Sequence, residues 1–253
     1  MNKKFLFLIV VLCSASLLLA NQRRAFFEMY SDFINVPPIC YNKSLLGYYN
    51  PAGLYFVKGS DLRIYWSDSN RKLSDYNTWA IFMGGKGTGL GVIKENFRNS
   101  EIYNTRISYA IGRENVSLGF SYGTGTGDGY FKRDKDSYWV FGMLVKSHSI
   151  LSVGGTLLIE NYSDYKEESY YFVITPFNNQ PFSLIYEHHY QSCSDVRKLV
   201  ESYSMYLKFL KRFNINAKIF HDRSFNIGVG LNISNIELIN NVFFDKQGVY
   251  ENK

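Results

Sequence analysis

The sequence predicts an all-β fold, an antiparallel up-and-down transmembrane β-barrel of roughly 12 strands. Three observations carry that expectation. The chain opens with the pattern of an export signal. From Asp61 onward it divides into strand-length segments, several with strict two-residue alternation. The connectors between these segments alternate long and short, as extended loops on one side of a membrane and tight turns on the other side require.

The export signal comes first. Lys3 and Lys4 give a short positive start, and residues 5–20 (FLFLIVVLCSASLLLA) are apolar or small throughout. That run is shorter than the roughly 20 residues a membrane-spanning helix needs. A basic start, a short apolar core and a small residue at Ala20 form the signal-peptide pattern, so 1–20 is expected to be cleaved during export. Leu12 precedes Cys13, which does not fit a lipoprotein signal. Beyond residue 20, no apolar run reaches helix-spanning length.

Composition narrows the class. The chain has 253 residues, with 28 Lys plus Arg against 22 Asp plus Glu. The basic excess is small and nowhere concentrated, which argues against nucleic acid as a partner. There are 21 Tyr and 20 Phe but only 5 Pro. Such a balance favours strands, and interfacial aromatics characterise membrane barrels. Cys40 and Cys193 remain after processing; export permits a disulfide, but the topology places the two on opposite sides of the membrane. Two isolated cysteines offer no zinc-type spacing.

The strand pattern is cleanest in residues 116–123 (VSLGFSYG). Val116, Leu118, Phe120 and Tyr122 share one face; Ser117, Gly119, Ser121 and Gly123 share the other. Residues 225–233 (FNIGVGLNI) repeat it, with Ile227, Val229, Leu231 and Ile233 against Asn226, Gly228, Gly230 and Asn232. This alternation means a sheet with one apolar and one polar face. Further strands are expected at 62–67, 78–84, 89–95, 105–112, 138–146, 150–160, 170–175, 182–190, 203–210 and 214–220. Residues 236–244 and 248–253 are candidates for a further strand and a fragment of another. Links near 68–77, 96–104, 123–137, 161–169 and 191–202 are long and polar; those near 85–88, 113–115, 147–149, 176–181 and 211–213 are short.

Residues 21–60 do not alternate. They contain Leu46-Gly47-Tyr48-Tyr49-Asn50-Pro51-Ala52-Gly53-Leu54, followed by a short apolar stretch to Leu62. An exported chain with an early Asn-Pro-Ala-Gly-Leu before a run of β-hairpins resembles the long-chain fatty-acid transporter (FadL-like) superfamily of outer-membrane barrels. That superfamily includes PorV-type barrels that serve secretion systems. The motif match covers Leu46 to Leu62, and the remainder is similar in architecture only. The resemblance implies about 14 strands around an N-terminal plug, with Asn50, Pro51, Ala52 and Gly53 in the plug. Taken with the strand count, it gives 12–14 strands and three parts: signal 1–20, plug-like segment 21–60 and barrel 61–253. The chain departs from the family in being short, and in ending Tyr250-Glu251-Asn252-Lys253 rather than on an aromatic residue.

The strands carry no clear catalytic or metal pattern. Barrel lipases place His and Ser two apart on one strand face, so that the imidazole reaches the hydroxyl. Here His148 precedes Ser149 directly, His188 and His189 precede Tyr190 and Gln191, and His221 precedes Asp222 and Arg223. None gives His-x-Ser. In Glu187-His188-His189, only Glu187 and His189 share a face, which suggests a polar pair rather than a metal centre. Gly123-Thr-Gly-Thr-Gly-Asp-Gly129 lacks the Lys-Ser/Thr of a phosphate loop and is expected to be a surface loop. No cofactor, no metal and no catalytic residue is expected.

Charges inside the strands complete the reading. A charge facing lipid is costly, so Arg63, Arg106, Glu160, Glu187, His189, Lys208 and Lys218 are expected to face the lumen. The resemblance implies passage or binding of hydrophobic small molecules in the outer membrane. The alternative is a non-catalytic interaction barrel, secretion-associated as PorV-like proteins are, with another outer-membrane protein as its partner. An outer-membrane lipid hydrolase ranks third.

Overall fold

The computed structural model describes residues 45–67, 78–97, 100–127, 136–146, 150–176, 182–193, 196–209, 213–233, 236–244 and 250–251. The expected signal, most of the expected plug segment and Cys40 lie outside the described residues. The described chain starts with one helical turn, α1 (Leu45–Tyr49), and a 3₁₀ turn (Pro51–Phe56). Strands follow without another helix: β1 (Asp61–Ser67), β2 (Thr78–Gly85), β3 (Thr88–Phe97), β4 (Ser100–Arg113), β5 (Val116–Gly127), β6 (Asp136–Lys146) and β7 (Leu151–Glu160). Then come β8 (Lys166–Ile174), β9 (Phe182–Cys193), β10 (Val196–Phe209), β11 (Phe213–Phe220), β12 (Phe225–Ile233), β13 (Ile236–Phe244) and β14 (Tyr250–Glu251).

All of them join one fourteen-stranded antiparallel sheet in strict sequence order, each strand paired with its chain neighbours. Among the described residues β1 and β14 do not pair with each other. β3 to β10 run 9 to 14 residues each, and a tilted strand crosses a bilayer in about 9–11 residues.

The polarity of the two faces is the reverse of a water-soluble sheet. Leu62, Ile64, Ile107, Ile111, Leu118, Phe120, Phe141, Met143, Phe172, Leu184, Ile227 and Val229 are all exposed. Their strand neighbours Arg106, Ser108, Ser117, Ser121, Ser183, Asn226 and Glu187 are buried. The alternation in 116–123 and 225–233 therefore points its apolar half outward. β6, apolar on both faces by sequence, has Trp139, Phe141 and Met143 outward and Tyr138, Val140 and Leu144 buried. The buried face carries a contiguous apolar cluster from Ala80 and Phe82 on β2 to Tyr206 on β10.

Two sequence expectations need correction. The links at 96–104 and 191–202 are largely strand: β3 and β4 leave only residues 98–99 between them, and β9 and β10 only 194–195. Polar side chains had marked these stretches as loops, but a ladder is held by its backbone, and cross-strand polar pairs fit it well. Lys94 Nζ lies 2.7 Å from Glu101 across the β3–β4 hairpin, and Tyr186 Oη donates to Glu201 across β9–β10 at 2.8 Å. The opposite end holds the 175–181 link, so long and short connectors alternate less regularly than the sequence suggested. The glycine-rich stretch is likewise strand as far as Gly127, with Gly123 and Gly125 on the buried face. A Cβ at Gly123 would lie 2.2 Å from the Tyr138 ring, so the glycine makes room for a neighbouring side chain.

Candidate functional site: the docked segment and the buried polar face

The Asn50–Pro51–Ala52–Gly53 stretch is buried against the sheet. Its local form follows from its residues. Asn50 caps the 3₁₀ turn: its Oδ1 accepts from Ala52 N at 3.0 Å, and its carbonyl accepts from Gly53 N at 2.9 Å. Pro51 occupies the first turn, where its fixed φ helps and its missing N–H costs nothing. The rest of the Asn50 side chain joins the segment to three strands. Its Nδ2 lies 3.1 Å from Met143 O on β6, 3.2 Å from Gly155 O on β7 and 2.5 Å from Tyr171 Oη on β8.

The end of α1 is capped from the sheet. Helix carbonyls at a C-terminus lack intrahelical partners and favour a cation. Arg106 supplies one, donating from Nη1 to Tyr48 O. Its guanidinium also stacks over the Tyr48 ring at 4.2 Å and the Tyr138 ring at 5.0 Å. Ser108 Oγ donates to Gly47 O at 2.8 Å, and Ser117 Oγ donates to Ala52 O at 2.9 Å. Two glycines let the backbones approach. A Cβ at Gly119 would lie 2.3 Å from Ala52 N, and one at Gly142 would lie 2.1 Å from Asn50 Oδ1.

Further round the sheet, the buried face is polar and charged. Adjacent-strand register brings Ser169 beside His189, Glu187 beside Ser202, and Ser204 beside Lys218. Lys218 Nζ lies 2.5 Å from Glu187 Oε2, with side-chain exposures of 8% and 1%. Ser202 Oγ donates to the same carboxylate oxygen at 3.4 Å. His189 places Nε2 3.8 Å from Glu187 Oε1 and Nδ1 2.8 Å from Ser169 Oγ. The order Ser169, His189, Glu187 is that of a hydrolase triad. The carboxylate, however, sits closer to Lys218 than to the imidazole, which is the geometry of a cross-linked ion pair. Among the described residues, no three His, Cys, Asp or Glu side chains gather as a metal site would require.

The expected inward charges divide. Arg106, Glu160, Glu187, His189 and Lys218 are buried. Glu160 accepts from Ser163 Oγ at 2.5 Å and so holds the turn after β7. Arg63 is half-buried and pairs with Asp61 at 3.0 Å. Lys208 shares parity with buried Ser204 and Tyr206 and is exposed next to the last residue of β10. Sequence reasoning paired Glu187 with His189 but missed Lys218 as the nearer partner, along with Ser169 and Ser202. Lys218 lies two strands away, and only the register of β9, β10 and β11 brings it there.

The outward face has its own order. Aromatic rings pair across strands, Trp79 with Tyr103 at 6.4 Å, Tyr122 with Trp139 at 5.0 Å and Tyr186 with Tyr203 at 5.2 Å between centroids. Three outward tyrosines send their hydroxyls to carboxylates: Tyr103 to Glu101 at 3.2 Å, Tyr170 to Glu168 at 2.9 Å and Tyr186 to Glu201 at 2.8 Å. An apolar ring with its hydroxyl turned to a charge suits an apolar–water boundary.

No protein-family model and no curated protein matches this chain.

Proposed function

We propose that the chain is an outer-membrane β-barrel, of the FadL/PorV-like kind that its Asn50-Pro51-Ala52-Gly53 stretch resembles. In this reading the sheet curls so that its first and last strands meet, and the docked segment is a plug. The barrel works without catalysis, as a packed scaffold that binds or anchors a membrane partner. The observation that carries the membrane reading is the inverted polarity: exposed leucines, isoleucines and phenylalanines alternate with buried serines, asparagines and charges. In water that arrangement would expose far more apolar surface than a monomer tolerates. In lipid it is what strand alternation requires.

The packing of the buried face favours a scaffold over an open pore. Arg106, Ser108 and Ser117 bind the segment directly, Asn50 of the segment binds β6 to β8, and Glu187 and Lys218 cross-link β9 to β11. Passage of hydrophobic molecules is the second reading. The apolar cluster around Tyr48 and Ala52 favours it, since a displaced segment would uncover an apolar lining.

Fractionation and reconstitution test the proposal. The scaffold reading expects recovery in the outer membrane, heat-modifiable gel mobility, and no solute uptake by liposomes carrying the purified protein. Solubility without detergent would overturn the membrane reading. Uptake of long-chain fatty acid that rises on loosening the segment would favour passage.

A further inference from the structure

The outward face carries a recess on β7. Row by row, the register aligns Leu118, Met143, Gly155, Tyr170 and His188 across β5 to β9. Every position in that row has a large side chain except Gly155. The gap opens a groove of about 540 Å³ over β7, within the size range of small-molecule sites. Val153 and Leu157 form its floor with Gly155, and Phe141, Met143 and Phe172 stand beside it. The floor residues are half-buried, while Phe141, Met143, Tyr170 and Phe172 are 45–48% exposed, so the surface is concave there.

The floor is fixed from the other side of the sheet. Asn50 holds the carbonyls of Met143 and Gly155 at 3.1 and 3.2 Å. On the buried face, a Cβ at Gly154 would lie 2.3 Å from the Tyr171 ring. The docked segment therefore makes this patch of wall rigid, and a rigid recess suits one bound ligand better than a mobile surface does.

Two carboxylates lie beyond one end of the groove, each bound to a residue that lines it. His188 lines it, and its Nδ1 lies 3.5 Å from Glu201 Oε1. Glu168 stands on the adjacent strand, receiving the Tyr170 hydroxyl. Two carboxylates beside an apolar trough complement a ligand with an apolar chain and a cationic head. We propose that the groove is a fixed site for one lipid acyl chain, with the lipid's ammonium head group toward Glu168 and Glu201. The proposal rests on the membrane reading above, because only a lipid-facing wall meets such a ligand.

The experiment is native mass spectrometry of the full chain, released from nanodiscs containing phosphatidylethanolamine and phosphatidylglycerol in equal amounts. The expected result is one retained lipid per chain, with phosphatidylethanolamine favoured at least fivefold. Gly155→Leu should abolish retention. A Cβ there would lie 3.2 Å from Tyr170 Cδ1 and 3.3 Å from Ser169 O, so Val153→Phe is the second groove-filling variant should Gly155→Leu fail to fold. Glu168→Gln combined with Glu201→Gln should keep one lipid and lose the head-group preference. Ile227→Phe, on the outward face far from β7, should behave as wild type. The proposal is overturned if folded wild-type protein retains no lipid, if both groove-filling variants retain it unchanged, or if retention ignores the head group. A chain that needs no detergent fails the membrane reading itself; a folded, detergent-requiring chain without a retained lipid fails only the groove.

Discussion

Replacing Asn50 by Ala tests the joint between segment and sheet. The structure gives the side chain four hydrogen-bond partners: Oδ1 accepts from Ala52 N, and Nδ2 shares its two hydrogens among two strand carbonyls and the Tyr171 hydroxyl. Losing an N-cap costs about 1 kcal/mol, and the two Nδ2 hydrogens, shared among the other three acceptors, contribute about 0.5–1.5 kcal/mol net each. The carbonyls of Met143 and Gly155 lie within a paired ladder, so the lower half of that range applies to them. The expected loss is therefore about 2–3 kcal/mol. Asn50→Asp sharpens the test. It keeps the capping acceptor but turns a carboxylate oxygen toward two carbonyl oxygens at a site with no solvent exposure. It should destabilise more than Ala at neutral pH and recover partly in acid, where the protonated carboxyl can donate. Urea unfolding of the detergent-solubilised protein, followed by tyrosine and tryptophan fluorescence, measures both variants. An Asn50→Ala protein within about 0.5 kcal/mol of wild type, the usual spread for surface changes, would refute the joint.

Three further outcomes follow from the same geometry. Lys218→Met leaves Glu187 buried without its ion-pair partner and should cost about 3–5 kcal/mol, whereas the Glu187→Met, Lys218→Met double variant should return close to wild-type stability in the same unfolding assay. If the two variants are equally unstable, the pair is not an isolated cross-link. Gly119→Val puts side-chain atoms where the Ala52 backbone lies, so the segment should undock and limited chymotrypsin digestion should cut near Tyr48, Tyr49 or Phe56; full protection would mean the sheet yields instead. Phe120→Lys places a charge in the outward apolar belt and should cost about 2–4 kcal/mol if that belt meets the bilayer midplane. The same substitution would be near neutral on a water-exposed sheet.

The strands were legible because alternation is a local signal. Residues 116–123 announce two faces without help from the rest of the chain, and the 225–233 strand is bounded as the sequence drew it. The reach of β3, β4, β9 and β10 into 96–104 and 191–202 was not legible, because polar side chains do not mark the absence of a ladder. The resemblance implies a plug role for Asn50-Pro51-Ala52-Gly53; what the structure adds, glycines at 119 and 142 opposite a capping asparagine, needs three-dimensional register. Parity puts Arg106, Glu187, His189 and Lys218 on one face, and all four are buried there. Lys208 has the same parity but is exposed, since parity says which side of the sheet a residue takes but not whether anything covers it. The groove over β7 was invisible for a related reason: one glycine in a strand signals nothing until four neighbouring strands show the row it interrupts.

The reach of Asn50 also bears on the order in which this molecule assembles. Each strand pairs with its chain neighbour, so hairpin contacts close short loops and form early. The three strand partners of Asn50 lie 93, 105 and 121 residues downstream. Until β8 has been laid down, the segment has only part of its docking site. A chain extended from its N-terminus must therefore hold this stretch unsatisfied while more than half of the sheet is built, and the last of these contacts, to Tyr171, marks the point at which the segment can lock.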